Sequence, residues 1–312
     1  MNEDEYTIES GHLSVGDGHK IYYQTWGNKD GTPIFHFHGG PGNGTSNPNK
    51  SFYDPAKHYV IFHDQRGTGK STPEGSLKDN TTQKLVKDID ALRAHLGIHD
   101  RIQLFGGSWG STLALAYAIE YPQHVSKMLI NGIYTGTKRE TNYLQQGGLA
   151  SHFPESWERY IEVVPKAKRN DTVGFYYAKL KQPIEKSADF VRRWVGNEAA
   201  PMSLDSNVLG LQQKLKEVDE SDRLGALFEA HYFLHDCFLP DNFIFDNAEK
   251  LQEIDIVMVQ GRFDHVCPPE TAYKLAQKIG DNCRLHVVPG SHANKELVVR
   301  EVLRAYVWSF LD

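Results

Sequence analysis

Short apolar runs alternate with helix-type spacing along the first 133 residues of the chain. The apolar runs predict strands at residues 6–11, 20–26, 33–38, 59–63, 101–105 and 127–130. Gly16-Asp17-Gly18 separates the first two runs and is typical of a tight hairpin turn. Apolar residues recur every three to four positions over residues 82–96, and small residues dominate 111–118, so both segments are predicted to be helices. Strands that alternate with helices indicate a mostly parallel sheet flanked by helices.

This alternation stops near Tyr134 and resumes near residue 248. Between these points the chain is rich in aromatic residues and helical in pattern, without a clear strand. Strands are predicted again at 254–260 and 284–288, and helices at 270–279 and 296–311. We therefore predict an α/β core in two parts, residues 1–133 and 248–312, with a helical cap inserted at residues 134–247. The cap is expected to cover the carboxyl edge of the sheet.

Gly106-Gly107-Ser108-Trp109-Gly110 joins a predicted strand to a predicted helix. A sharp turn between strand and helix, flanked by glycines, raises a serine hydroxyl to the tip of a strained elbow. Because this five-residue pattern is weak by itself, the interpretation depends on partner residues elsewhere. With those partners, Ser108 is predicted to be a nucleophile.

A serine nucleophile needs a base to accept its proton and an acid to orient that base. Asp264 follows the strand predicted at 254–260, and His292 follows the last predicted strand, so both belong at the edge that holds Ser108. Asp255 and Asp281 are alternatives, but the first lies inside a strand and the second precedes one. The chain order serine, aspartate, histidine also fits this arrangement. We predict a Ser108, Asp264, His292 triad.

The oxyanion that forms during such a reaction needs fixed N–H donors. The Trp109 N–H follows the nucleophile, and the glycine-rich run Gly39–Gly42 follows a strand, with the Gly40 N–H as the expected second donor. His36 and His38 suggest a metal site, but no third ligand stands out. The run Asp64–Gly69 lacks the ending of a phosphate-binding loop and is expected to shape the site. Neither a metal nor an organic cofactor is expected.

The net charge of −6 and the absence of a Lys/Arg cluster argue against nucleic acid or an anionic membrane as a partner. The first five residues are acidic, unlike a secretory signal. The three cysteines show neither disulfide nor metal-ligand spacing, so we expect them to be reduced thiols. We expect a cytoplasmic enzyme. Its oligomeric state is not legible from the sequence.

Several motifs resemble one branch of the α/β-hydrolases, the proline iminopeptidases or prolyl aminopeptidases. They are His38-Gly-Gly-Pro-Gly42, Asp64-Gln-Arg-Gly67, Gly106-Gly-Ser-Trp-Gly-Ser111 and Gly261-Arg-Phe-Asp264. The resemblance covers nearly the whole chain, including the cap, and the first and third motifs together are specific. It implies an α/β-hydrolase fold with an inserted cap and the release of N-terminal proline from small peptides with a free N-terminus.

In that family two cap glutamates hold the substrate's free amine, and the resemblance places them at Glu198 and Glu229. A protonated proline amine offers two N–H donors and one positive charge, which two carboxylates can accept. The resemblance also implies that Tyr134, Phe233 and Cys267 line the pocket for the proline ring.

Other activities of the same fold stay open at this point. They are a broader aminopeptidase or amino-acid amidase, and, less favoured, a carboxylesterase whose cap glutamates are only surface residues. A non-catalytic binding protein would have no need for a triad.

Overall fold

The computed structural model describes residues 5–45, 47–204, 213 and 215–311, without the side chains of 47 and 48. Within these residues, eight strands form one sheet in the order β1-β2-β4-β3-β5-β6-β7-β8. The strands are β1 (Thr7–Gly16), β2 (His19–Gly27), β3 (Pro33–Phe37), β4 (Tyr59–His63), β5 (Ile102–Gly107), β6 (Val125–Asn131), β7 (Asp255–Gly261) and β8 (Cys283–Val288). β1 pairs antiparallel with β2, and β2 with β4. The remaining neighbours are parallel. The carboxyl ends of β3 to β8 therefore meet at one edge.

Ten α-helices lie in the described part of the chain. They are α1 (Thr82–His95), α2 (Trp109–Glu120), α3 (Lys138–Gln145), α4 (Pro154–Glu162), α5 (Thr172–Leu180), α6 (Ile184–Ala199), α7 (Glu220–Leu234), α8 (Phe243–Asp246), α9 (Pro269–Ile279) and α10 (Leu297–Ser309). Among these described helices, none is long and apolar enough to cross a membrane.

Both faces of the sheet are buried, which explains why its central strands are almost continuously apolar. Leu104 of β5 packs into a core with α1, α2 and α9, whereas the next residue, Phe105, packs into a second core with α10. Alternate side chains of one strand point to opposite faces, so a strand covered on both sides needs apolar residues at every position. The expectation of a mostly parallel sheet flanked by helices is confirmed.

The hairpin is longer than the sequence pattern predicts, because β1 continues from Thr7 to Gly16 rather than ending at Gly11. The second half of β1 alternates exposed and half-buried residues and pairs with β2 up to the turn. Asp17 and Gly18 both have positive φ, at 56° and 86°, as a two-residue hairpin turn with matching twist requires.

The described residues between β6 and β7 are helical, from α3 to α8. They are tied to the loop before α1 and to the first residue of α1, since the Tyr232 hydroxyl donates to Asn80 Oδ1 at 2.7 Å and the Thr82 hydroxyl donates to the Cys237 carbonyl at 2.5 Å. The Tyr232 ring also packs edge-on against Trp109, with centroids 4.7 Å apart. This helical segment is thereby held beside the elbow. The division at residues 133 and 247 stays a prediction.

Candidate active site

Ser108 lies between β5 and α2 in a backbone conformation that non-glycine residues rarely adopt, with φ of 56° and ψ of −127°. The glycines on either side make room for it. A Cβ on Gly106 would lie 2.4 Å from the carbonyl oxygen of Gly110, and a Cβ on Gly110 would lie 2.3 Å from that of Phe37. Backbone oxygens therefore approach Gly106 and Gly110 too closely for a side chain. This explains why glycine stands two residues before and two residues after Ser108.

Asp264 and His292 meet as the sequence predicts, with His292 Nδ1 2.8 Å from Asp264 Oδ2. Both side chains are buried. Burial disfavours a charged imidazole, but the charge of Asp264 and its hydrogen bond outweigh that effect, so the pKa of His292 is raised above 6.5. Asp264 therefore stabilises the protonated imidazole that would form if His292 accepted a proton.

Ser108 and His292 open into one cavity of about 460 Å³. This cavity is also lined by the other predicted site residues Gly40, Tyr134, Glu198, Glu229, Phe233 and Cys267. Trp109 differs, because its side chain is fully buried and only its backbone N–H, at the first position of α2, belongs to the predicted site. The structure thus gathers residues from both parts of the α/β core and from the helical segment between them.

The glycine-rich loop after β3 lies against the elbow, since a Cβ on Gly39 would be 3.7 Å from Ser108 Cβ. Gln65 holds this loop in place. Its side chain donates to the His38 carbonyl at 3.0 Å and accepts from Trp109 Nε1 at 2.9 Å. One amide therefore joins the two segments that carry the predicted oxyanion donors, Gly40 and Trp109.

Glu198 of α6 and Glu229 of α7 form a carboxyl pair at the wall of the cavity. Burial, followed by the neighbouring Glu229 carboxylate, raises the pKa of Glu198 well above its usual value. Burial also raises the pKa of Glu229, although hydrogen bonds from Glu198 and Trp194 oppose the shift. Two adjacent, half-buried carboxyl groups repel each other when both are ionised and no cation lies between them. The pair is therefore suited to a positively charged ligand.

Another part of the cavity wall is apolar and aromatic. The rings of Tyr134 and Phe233 meet edge to face with centroids 6.2 Å apart. The Tyr134 hydroxyl lies 3.0 Å from Thr141 Oγ1 and is directed away from bulk solvent. Burial raises the pKa of the Cys267 thiol well above its usual value, so this thiol lines the wall in its neutral form. Such a wall suits a compact apolar ring.

Comparisons with known proteins show the family of the chain. A family model described as alpha/beta hydrolase fold matches residues 32–296. The chain is 37% identical over 301 residues to a proline iminopeptidase of Arabidopsis thaliana. The matched residues cover 95% of this chain and 78% of that protein. It is also 37% identical over 289 residues to a proline iminopeptidase of Xylella fastidiosa, with 91% and 90% covered. The chain belongs to the proline iminopeptidase family of α/β-hydrolases.

Solved structures share the fold with this family member. A proline iminopeptidase of Mycobacterium smegmatis superposes with a TM-score of 0.63 at 21% identity, over 97% of both chains. An esterase of Exiguobacterium antarcticum superposes with a TM-score of 0.66 at 19% identity, over 97% of this chain and 99% of that one. At these identities both similarities concern the fold alone.

In this iminopeptidase-family chain, the two histidines considered as metal ligands bind protein groups. His36 Nδ1 lies 2.8 Å from the Tyr53 hydroxyl, and His38 Nε2 accepts from the Gln65 N–H at 3.0 Å. Burial, together with the nearby His38, lowers the pKa of His36 to about 3, and burial also lowers the pKa of His38. Both rings are therefore neutral parts of the wall.

Three positioning side chains were not identified from the sequence: Gln65, Trp194 and Gln260. Gln65 lies inside the motif Asp64-Gln-Arg-Gly67, Trp194 lies one turn before Glu198 on α6, and Gln260 is the next-to-last residue of β7. Gln260 donates to Asp264 Oδ2 at 3.1 Å and to the Cys267 carbonyl at 2.9 Å. A buried glutamine at the end of an otherwise apolar strand is the signal that could have indicated it, because buried amides need partners.

Proposed function

We propose that this protein is a serine exopeptidase that releases N-terminal proline from small peptides with a free N-terminus. The observation that carries the proposal is that Glu198 and Glu229 line the same cavity as Ser108 and His292. A free amine held by the carboxyl pair would bring the first peptide bond of a substrate towards the serine. The family to which the chain belongs supports the same conclusion.

The proposed reaction has two steps. The Ser108 hydroxyl attacks the carbonyl carbon of the first residue while His292 accepts its proton, and the negative oxygen is held by the Gly40 and Trp109 N–H groups. His292 then gives its proton to the leaving amine, and an acyl-enzyme remains. Water, activated by the same imidazole, releases the free amino acid. Asp264, bonded to His292, keeps the ring oriented in both steps.

The amine site supplies specificity for the chain end. An ammonium between two carboxyl groups gains charge-assisted hydrogen bonds, whereas an acylated nitrogen carries no charge and leaves the pair without a cation. Tyr134, Phe233 and Cys267 are proposed to hold the pyrrolidine ring. Because this wall is apolar, other small side chains compete with proline only through shape.

The test compares prolyl-2-naphthylamide with its N-acetyl form, alanyl and leucyl naphthylamides, and p-nitrophenyl acetate. We expect cleavage of the free prolyl amide and none of the acetylated form. Preference for alanine or leucine would instead support the broader aminopeptidase, and indifference to acetylation would support a carboxylesterase. Ser108→Ala is the matched inactive control, and it should fold normally.

The glutamate variants test the amine site directly. Glu198→Gln and Glu229→Gln are each expected to lower kcat/KM for prolyl-2-naphthylamide, and a variant that loses a charge-assisted hydrogen bond to the ammonium should lose about 10-fold or more. Hydrolysis of p-nitrophenyl acetate, which has no amine, should change far less. Equal losses on both substrates would contradict the proposed amine site.

We further propose that the enzyme acts on peptides in the cytoplasm.

A further inference from the structure

Trp194 contacts the carboxyl pair from a buried position. It lies on α6, one turn before Glu198, and its side chain is fully buried. Its indole Nε1–H donates to Glu229 Oε2 at 2.9 Å, and the same donor also acts to lower the pKa of Glu198, although burial and Glu229 raise that pKa by more. An indole N–H is a donor only, so this contact stabilises a carboxylate acceptor.

The indole is held rigidly by the rings around it. Tyr176 meets it edge to face at 5.6 Å, and Phe233 of the cavity wall lies nearly parallel to it at 6.3 Å. Tyr176 is itself fixed, because its hydroxyl donates to the Tyr160 carbonyl at 2.6 Å and its ring stacks on Tyr160. The Nε1–H therefore stays directed at Glu229 whether or not a ligand is present.

The surroundings of the pair offer no fixed positive charge. Among the described residues that line the cavity, none is a lysine or an arginine. In the absence of a ligand, a proton shared by the two carboxyl groups would relieve their repulsion. The group that receives the indole hydrogen bond is the one that is better stabilised as a carboxylate.

We propose that Trp194 is a positioning residue that holds Glu229 as the ionised member of the pair and leaves the proton on Glu198. This inference rests on the proposed function, because it concerns the same amine site. A protonated Glu198 donates to Glu229, and the pair carries a net charge of −1. That charge matches the single positive charge of an N-terminal ammonium, so substrate binds without loss of a proton from the pair.

The experiment replaces Trp194 by Phe, which keeps a ring and removes the N–H. We expect KM for prolyl-2-naphthylamide to rise about 10-fold, and the inhibition constant of pyrrolidine, measured on p-nitrophenyl acetate hydrolysis, to rise equally. The kcat and KM for the acetate itself should stay within about twofold, because the ester does not use the amine site.

Trp26→Phe is the matched control. It also replaces a buried indole by a ring without an N–H, but Trp26 lies on β2, outside the cavity lining, and its Nε1–H donates to the Glu5 carbonyl at 3.0 Å. It should leave KM for the prolyl substrate and the pyrrolidine constant unchanged. If both variants raise these constants equally, or if Trp194→Phe weakens the ester and prolyl reactions alike, Trp194 only packs and the inference is wrong.

An asymmetry between the glutamates gives an independent test that does not need a folded Trp194 variant. Glutamine resembles a protonated glutamate, so Glu198→Gln should cost at least about 10-fold less in prolyl kcat/KM than Glu229→Gln. Equal or reversed losses would overturn the assignment. If the wild-type protein neither cleaves the prolyl amide nor is inhibited by pyrrolidine, the proposed function itself fails, which is seen without any variant.

Discussion

At the scale of single residues, Asp264, the proposed orienting acid, is held through both of its carboxylate oxygens. Oδ1 accepts the N–H groups of Val266 and Cys267 at 2.9 and 2.7 Å, while Oδ2 accepts from Gln260 and lies against His292. A carboxylate bonded on both oxygens does not rotate, and the imidazole that it faces keeps one orientation. The position of His292 is therefore set before a substrate arrives.

The raised pKa of His292 leads to a prediction about pH. The imidazole must be neutral to accept the proton of Ser108, so kcat/KM for p-nitrophenyl acetate should fall as the pH drops through a value above 6.5. Asp264→Asn removes the charge that raises this pKa. We expect the acidic limb to move to lower pH and kcat to fall by about 10⁴-fold.

The rates for this test can be measured by ester turnover, with a serine-directed label to count active sites in the slow variant. Gln260→Met is a useful control, because it removes one hydrogen bond to Asp264 and leaves the charge of Asp264 in place. In this variant the acidic limb of the kcat/KM profile should stay above pH 6.5. An acidic limb that does not move in Asp264→Asn would mean that another group titrates.

Which residues could be predicted from the sequence depends on how local their partners are. Ser108, Asp264 and His292 follow strands of a parallel sheet, and such positions meet by topology alone. Gln260, by contrast, accepts from the Ile133 N–H, 127 residues away, and no local pattern indicates that contact. Gln65 likewise acts on a tryptophan 44 residues further on.

At the scale of elements, predictions succeeded where one periodic pattern covers a whole strand or helix. β4 has the predicted bounds, Tyr59–His63, and α1 differs from its prediction by one residue. The helices between β6 and β7 could only be predicted as a group. Some of their apolar residues face neighbouring helices, others face the core and others face the cavity. No single helical period therefore marks where each helix begins or ends.

Two glycines inside helices should respond in opposite ways to the same substitution. A Cβ on Gly225 of α7 would meet nothing within 4 Å, so Gly225→Ala should raise the free energy of unfolding by up to about 1 kcal/mol through helix propensity. A Cβ on Gly110 of α2 would meet a backbone oxygen at 2.3 Å. Gly110→Ala should therefore lower stability and remove esterase activity.

Urea midpoints and p-nitrophenyl acetate turnover measure both effects. The activity of Gly225→Ala should equal that of the wild type, because Gly225 does not line the cavity that holds Ser108. If Gly110→Ala were fully active, the close crossing of α2 over Phe37 would not be needed to shape the elbow.

At the scale of the whole molecule, Arg66 connects the hairpin, the loop after β4 and α1. Its side chain is almost fully buried, and its N–H groups bind five acceptors. They are both carboxylate oxygens of Asp88 at 2.5 and 2.8 Å, Asp17 Oδ2 at 2.9 Å, and the carbonyls of Val15 at 3.0 Å and Asp79 at 3.1 Å. Because Arg66 follows Gln65, the same loop also fixes the segments around Ser108.

This arrangement predicts a strong dependence between Arg66 and Asp88. Arg66→Met leaves the buried Asp88 carboxylate without its cation and should cost about 3–5 kcal/mol of unfolding free energy. Asp88→Leu should cost less, since Arg66 keeps Asp17 and two carbonyls as acceptors. In the double variant no isolated charge stays buried, so its cost should fall below the sum of the single costs by about 1–3 kcal/mol. Urea unfolding of the four proteins measures this difference. Strictly additive costs would mean that the pair does not act as a unit, and that the loop carrying Gln65 is held by its carbonyl contacts instead.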